Sequence, residues 1–218
     1  MQIFMLFSLI CRNNTKRMQF KTDETDPSVL YKLLTGTIIP RPIGWISTID
    51  KDGVNNLAPF SYFNMVSSDP PCVMFSTRRD NNQYKDTLNN VLHNGEFVVN
   101  LVTMDVVEQM NATSATVPSD VDEFELTNLT PIDSVFIKPK RVKESPIHLE
   151  CEMIHHYFMD NNEGGGACIV IGKIKMIHID DSILMESSRI NLDVYKPVAR
   201  LAGSNYSTLG ELFSIKRA

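Results

Sequence analysis

What limits this chain most is its punctuation. Its β-branched and aromatic runs are short, and each ends at a proline, a glycine or an Asp/Asn cluster. IGWISTI, residues 43–49, reads as a strand. Asp50-Lys51-Asp52-Gly53 then supplies a turn whose glycine can take positive φ. Residues 54–58 return antiparallel, and Pro59, with no N–H to donate, is expected to interrupt the pairing. Asp69-Pro70-Pro71 breaks the chain again before a strand over 72–76. FVVNLV, residues 97–102, is a further strand with a lone Asn100 inside it. Residues 134–142, 147–159 and 167–178 also read as strands, the last two joined by a hairpin loop at 161–166. Helices are few. Leu88, Val91 and Leu92 give an i, i+3, i+4 face, started by Asp86 or an Asn just before it and ended by Gly95. Residues 104–112 predict a second short helix, and 113–133 a long polar excursion. Many short strands with few helices predict a mainly β chain, a barrel or a sandwich. No domain boundary falls after residue 25.

Composition sets outer limits. The chain has 218 residues, 43% hydrophobic and 22% charged, enough for one sizeable core and short for two full domains. Its net charge is −5 and no basic stripe occurs, which argues against nucleic acid or an anionic membrane as main partner. Cys11, Cys72, Cys151 and Cys168 are far apart and form no CxxC pair, as expected of reduced thiols in the cytoplasm. MQIFMLFSLIC is apolar but well short of the ~20 residues that span a bilayer. Arg12, Lys16 and Arg17 follow this run, the wrong side for a signal peptide. Residues 1–17 are therefore expected to be an extension outside the core, with an uncleaved anchor or poor signal peptide as the alternative. Residues 18–218 are expected to form a single domain.

The usual catalytic signatures are missing. There is no GxSxG, HExxH, P-loop or GxGxxG. Gly164–Gly166 lies between two strands and reads as a turn. His148, Cys151, His155, His156 and His178 could suggest a metal. Strand alternation, however, puts His148 and His156 on one face and Cys151 and His155 on the other, so no three ligands converge and no metal is expected.

The informative residues cluster elsewhere. Pro40-Arg41-Pro42 stands at the mouth of the first strand. The prolines stiffen that mouth and fix the direction of Arg41, which is either a surface side chain or one aimed at something anionic. Ser47 and Thr48 lie on the same strand, with Asn56, Leu57, Ala58, Pro59, Phe60 and Ser61 beside them on its hairpin partner. Ser76, Thr77 and Arg78 end the third strand, and Lys85 and Thr87 open the helix. Short hydroxyls, a kinked backbone, cations and a helix N-terminus together describe a phosphate site next to a flat ring. Lys85 at a helix start opposes the helix dipole unless an anion is present, although it also reads as a solvated lysine. Asn56 and Asn100 equally read as satisfying backbone ends, and Trp45 as core or interface.

IIPRPIGWIST, NLAPFSYFNMVSSDPP, VMFST, YKDTLNN, GEFVVNLV and ARLAGSNY occur in this order, within residues 28–206. In these blocks the chain resembles the flavin reductase-like, FMN-binding split-barrel family, the branch that includes flavoredoxin. The resemblance implies a split β-barrel, Greek-key-like, with a few short helices, and a homodimer with FMN near the subunit interface. It implies that Ser47, Thr48 and residues 56–61 line the ring and ribityl chain, and that Ser76, Thr77 and Arg78 lie toward the phosphate. Lys85 and Thr87 would hold the phosphate, and Asn100 would make a polar contact. Arg200, Gly203 and Tyr206 would close over the cofactor, from this chain or its partner. Arg41 would touch the flavin edge or the dimer seam. Where the family shows Gly-Gly this chain has Ala202-Gly203, and Gly44 replaces a frequent alanine, an exchange expected to be sterically harmless. The implied activity is hydride transfer from NADH or NADPH to FMN, with no catalytic side chain. Electrons would then pass to free flavin, a ferric complex or a partner oxygenase. The alternative is a non-catalytic electron carrier or flavin store.

Overall fold

The computed structural model describes residues 18–80, 83–161 and 165–216, so the expected extension at 1–17 lies outside the described residues. In chain order the strands are β1 (Arg41–Pro42), β2 (Gly44–Ile49), β3 (Asn55–Phe60), β4 (Phe63–Ser68), β5 (Pro71–Asp80), β6 (Gln83–Tyr84), β7 (Glu96–Leu101), β8 (Pro131–Ile132), β9 (Arg141–Val142), β10 (Ile147–Asp160), β11 (Gly166–Ile179), β12 (Ala199–Arg200) and β13 (Tyr206–Ser207). The helices are α1 (Pro27–Thr37), α2 (Asp86–Asn94), α3 (Val107–Ala112), α4 (Glu123–Leu126) and α5 (Leu192–Tyr195).

One antiparallel sheet organises the chain, in the order β3-β2-β7-β10-β11-β5-β4, with β6 paired to β5. Its spine is the long β10–β11 hairpin. β7 pairs with the start of β10, from His148 to Glu152, whereas β5 pairs with the start of β11, from Gly166 to Lys173. In an antiparallel hairpin these are opposite ends, so the two halves of the sheet are offset along it. That offset makes the barrel a split one, as the resemblance implies.

Both faces of β2 are buried. Ile46 points inward to Phe75, Phe97, Val99 and Val170, a cluster closed by Leu88 and Val91 of α2. Trp45 and Leu57 point outward into a second cluster with Val106, Met110, Phe124 and Val142. Burial on two sides explains why IGWISTI is a continuous apolar run rather than an alternating one. Trp45 is a core residue, its indole N–H donating to Thr113 Oγ1 at 2.9 Å.

Several expectations change. Pro59 does not stop β3, which continues to Phe60 with Pro59 opposite Trp45. β3 is the edge strand, and the outward N–H of Leu57 goes to the Glu123 carboxylate at 2.9 Å. Two residues on, Pro59 occupies the next outward position, where no ladder N–H is needed. Residues 134–142 are not a strand, apart from β9. Carboxylates replace the ladder there: Glu150 accepts from the N–H groups of Val135 and Phe136, and Glu96 from that of Lys138. The polar stretch 113–133 contains α4, capped by Asp122, and β8. The 104–112 helix forms as a 3-10 turn leading into α3. Helix α1 and strand β4 went unpredicted, although Asp26 before Pro27 is a helix-start signal. The Asp26 side chain accepts from the N–H of Ser28 and Val29, and Pro27 opens the helix.

Gly44 itself is accommodated, but the reverse exchange to alanine is not harmless. A Cβ built there would lie 2.7 Å from the Phe63 ring, which is itself buried. The register shift between Met153 and His155 puts one extra residue into β10 and breaks the alternation assumed for its histidines; the other shift, opposite Glu150 and Cys151, puts its extra residue into β11. His148 is buried while His155 is exposed, and no group of three metal-ligating side chains forms among the described residues.

Candidate functional site: a two-lobed cleft

The site begins at the Pro-Arg-Pro mouth. Arg41 is only 7% exposed. Its guanidinium donates to the carbonyls of Thr35 and Ile38 at 2.8 and 2.9 Å and to that of Leu201 at 2.9 Å. Thr35 lies near the end of α1 and Ile38 is its C-cap. The electronegative target of Arg41 is therefore the carbonyl-rich end of a helix, where a cation is favoured. By the same bonds Arg41 ties α1 to the 200–206 loop, and its Nε reaches Ser61 Oγ at 3.4 Å.

These tied elements wall a cleft of about 370 Å³, lined by Arg41, Pro59, Phe60, Ser61, Ser76, Thr77, Arg78, Lys85, Arg200, Gly203 and Tyr206. Lining residues not foreseen include Tyr31 and Thr35 of α1, together with Tyr62, Asn111 and Ser114. The Arg200 guanidinium lies 4.5 Å from the Tyr206 ring centroid, within cation–π distance, and donates to the Gly203 carbonyl. Arg200, Gly203 and Tyr206 thus line the cleft from the same chain. Tyr206 is held in turn, its hydroxyl donating to Asn111 Oδ1 at 2.9 Å.

A second lobe of about 530 Å³ adjoins the first and shares Pro59, Phe60, Arg78, Lys85 and Ser114 with it. Asn56, Ala58 and Thr87 line this lobe, with Glu123 and the loop from Thr113 to Ser119. Asn56 Nδ2 donates to Thr87 Oγ1 at 2.9 Å, joining the edge strand to the first turn of α2. Lys85, not Asp86, is the N-cap of α2, and its side chain makes no capping bond. The positive end of the helix is thus presented beside an exposed lysine ammonium. Burial raises the Glu123 carboxyl above its ordinary range, opposed by the Leu57 N–H bond.

Four of the expected site residues do not line the cleft. Leu57 is part of the outer core. The other three are fully buried behind the wall. Ser47 donates to the Lys140 carbonyl, and Thr48 accepts from Asn90 Nδ2. Asn100 donates to the Trp45 carbonyl and accepts from Val142 N–H, so it satisfies backbone ends as the plainer reading had it. The other fourteen expected residues line one lobe or both. The unforeseen α1 wall follows from the missed helix; the Asp26-Pro27 pair was the available signal.

Comparison with known proteins gives a consistent picture. The sequence model described as "Flavin reductase like domain" matches residues 35–191. An uncharacterized protein of Aquifex aeolicus is 43% identical over 190 residues, covering 87% of this chain and 94% of that one. The crystal structure of nitrilotriacetate monooxygenase component B from Bacillus cereus is similar with a TM-score of 0.89 and 37% identity, over 93% of this chain and 100% of that chain. Pseudomonas fluorescens 2-nitrobenzoate 2-nitroreductase is similar with a TM-score of 0.81 and 26% identity, over 92% of this chain and 96% of that chain.

Proposed function

The chain belongs to the flavin reductase-like domain family, and from that premise we propose that it binds FMN and works as an NAD(P)H-dependent flavin oxidoreductase. The observation that carries this reading is Lys85. A lysine at a helix N-cap, without a capping bond, is locally unfavourable, and an anion between it and the α2 amides removes the conflict. A phosphate there fits the donors present: Lys85, Arg78, the hydroxyl of Thr87 and the first amides of α2. The flat walls of the first lobe, Pro59, Phe60 and the Arg200–Tyr206 pair, suit a planar ring system.

Bound there, FMN supplies hydride acceptance from NADH or NADPH and onward electron transfer. The protein's part is orientation. Arg41 fixes the α1 wall against the 200–206 loop, Asn56 and Thr87 hold strand and helix in register, and Lys85 neutralises the phosphate. None of these residues is required to move a proton. Electron acceptors of this reading are free flavin, a ferric complex or a partner oxygenase. The resemblance to a monooxygenase component supports the last of these. A homodimer is part of the same reading, supported by the exposed Tyr62, Met65 and Val66 on and beside edge strand β4.

The test is a visible spectrum of the purified protein with and without FMN, followed by anaerobic NADH and NADPH. Flavin bands that bleach with either nucleotide are expected. Bands that persist with both, yet bleach with dithionite, would mark an electron carrier instead. Absence of any bound flavin after adding FMN overturns the reading.

A further inference from the structure

Resting on the homodimer in this reading, we propose that residues 209–216 are an exchange arm: each copy lends its arm as an added strand to the free edge of β10 in the other. The arm follows β13 and forms neither helix nor strand in the single chain. It carries Leu209, Leu212, Phe213 and Ile215, and the last two are 82% and 81% exposed. Among the described residues it makes no hydrogen bond and no ion pair. Scattered apolar side chains on a surface are ordinary, but a run of them on unpaired backbone calls for a partner. Laid out as a strand, the arm puts Phe213 and Ile215 on one side and Ser214 and Lys216 on the other.

The unpaired N–H and C=O groups of the arm need a sheet edge, and the edges of this fold are not alike. β3 has Pro59 on its outward side and the Glu123 carboxylate on the Leu57 N–H. β4 has an extra residue between Met65 and Ser67, which kinks its ladder, although its apolar side chains still offer a face. β11 past the reach of β5 begins with Lys173 and Lys175. Prolines, bulges and lysines are the devices that keep edge strands from pairing. β10 has none of them beyond His155. β7 leaves it at Glu152, and the last bond on that side runs from the Met153 N–H to the Gly95 carbonyl. From His155 to Asp160, among the described residues, β10 pairs with β11 alone in unbroken register, and Tyr157 and Met159 are exposed along it. This is the fold's one long unprotected edge among the described residues, and an added strand satisfies it.

Charge agrees with this occupant. Asp160 lies at the far end of the edge and Lys216 at the far end of the arm, so a parallel alignment brings them together. Glu211 then comes beside His155, and no like charges meet. The arm does not pair with its own β10. A two-fold exchange satisfies both arms and both edges at once.

The experiment combines sedimentation of the full chain over a concentration series with hydrogen exchange read on peptides. The chain is expected to be a dimer whose 155–160 segment is protected, with that protection fading on dilution. Phe213→Asp together with Ile215→Asp, both at exposed positions, should weaken the dimer about tenfold or more and unprotect 155–160. Ending the chain at Thr208 is the second variant and should do the same. Unchanged dimer affinity in the variants overturns the arm and leaves the homodimer standing, as does a weakened dimer whose 155–160 protection is unchanged. Protection of 155–160 in a monomer marks an arm folded onto its own β10 and also overturns the exchange. A monomer at every concentration removes the exchange and the homodimer together, while the visible spectrum judges the flavin reading separately.

Discussion

Arg41 and Arg200 sit directly opposite each other across β1 and β12, yet their guanidinium groups serve different ends. Arg41 turns inward to three backbone carbonyls, whereas Arg200 lies near the ring of Tyr206 within the cleft. Two like charges on paired strands are tolerable because the first is compensated by the end of α1 and by the Leu201 carbonyl.

This division of labour predicts that Arg41→Ala is chiefly a stability mutation. Losing charge-assisted bonds to one buried and two partly buried carbonyls should cost about 3 kcal/mol, a Tm drop on the order of 10 °C. Arg41→Lys should recover only part, since an ammonium does not reproduce the planar fork. Thermal unfolding checks this, and an unchanged Tm in Arg41→Ala would count against it.

Lys85→Ala should do the reverse. The side chain is exposed and makes no capping bond, so Tm should hold in the absence of flavin. FMN affinity should fall about 10- to 100-fold, corresponding to about 1.5–3 kcal/mol for a charged contact. Riboflavin, which lacks the phosphate, should bind wild type and variant alike. Unchanged FMN affinity would remove the phosphate assignment.

His148 makes stability depend on acid. Burial lowers its pKa from 6.5 to about 4, although its bond to the Val142 carbonyl works the other way. Its Nε2 lies 2.7 Å from that carbonyl and therefore carries the proton, while the buried Nδ1 has no partner. Between these two pKa values the unfolded chain binds the extra proton. Stability from this group is thus fully present above pH 6.5 and is lost as pH falls toward 4. The loss should be about 2–3 kcal/mol. Urea unfolding at a series of pH values should show it, and His148→Gln should flatten that part of the profile.

Gly44→Ala should destabilise despite the small change in size. The added methyl meets Phe63 at 2.7 Å within the core, and overpacking of this kind costs about 1–3 kcal/mol. Phe63→Leu in the same chain should relieve part of the penalty, measurable as a non-additive double-mutant cycle.

The chain's own sequence determined the local features: the Asp50–Gly53 turn, the 97–102 strand, the Gly95 helix stop and the order of blocks that marks the family. Each depends on residues within a few positions of one another. Fourteen of the eighteen residues expected at the site line the cleft for the same reason, because strand ends and a helix start point where local geometry sends them. Tertiary structure alone decided the remainder. Ser47 and Asn100 look like ligand-binding side chains in sequence, but residues more than forty positions away present their backbone groups to them. Pro59 is tolerated only because β3 falls at the sheet edge, and Glu150 replaces a strand ladder for residues 135 and 136. A buried polar group must find a partner, and which partner it finds depends on distant segments that only folding brings within hydrogen-bonding reach.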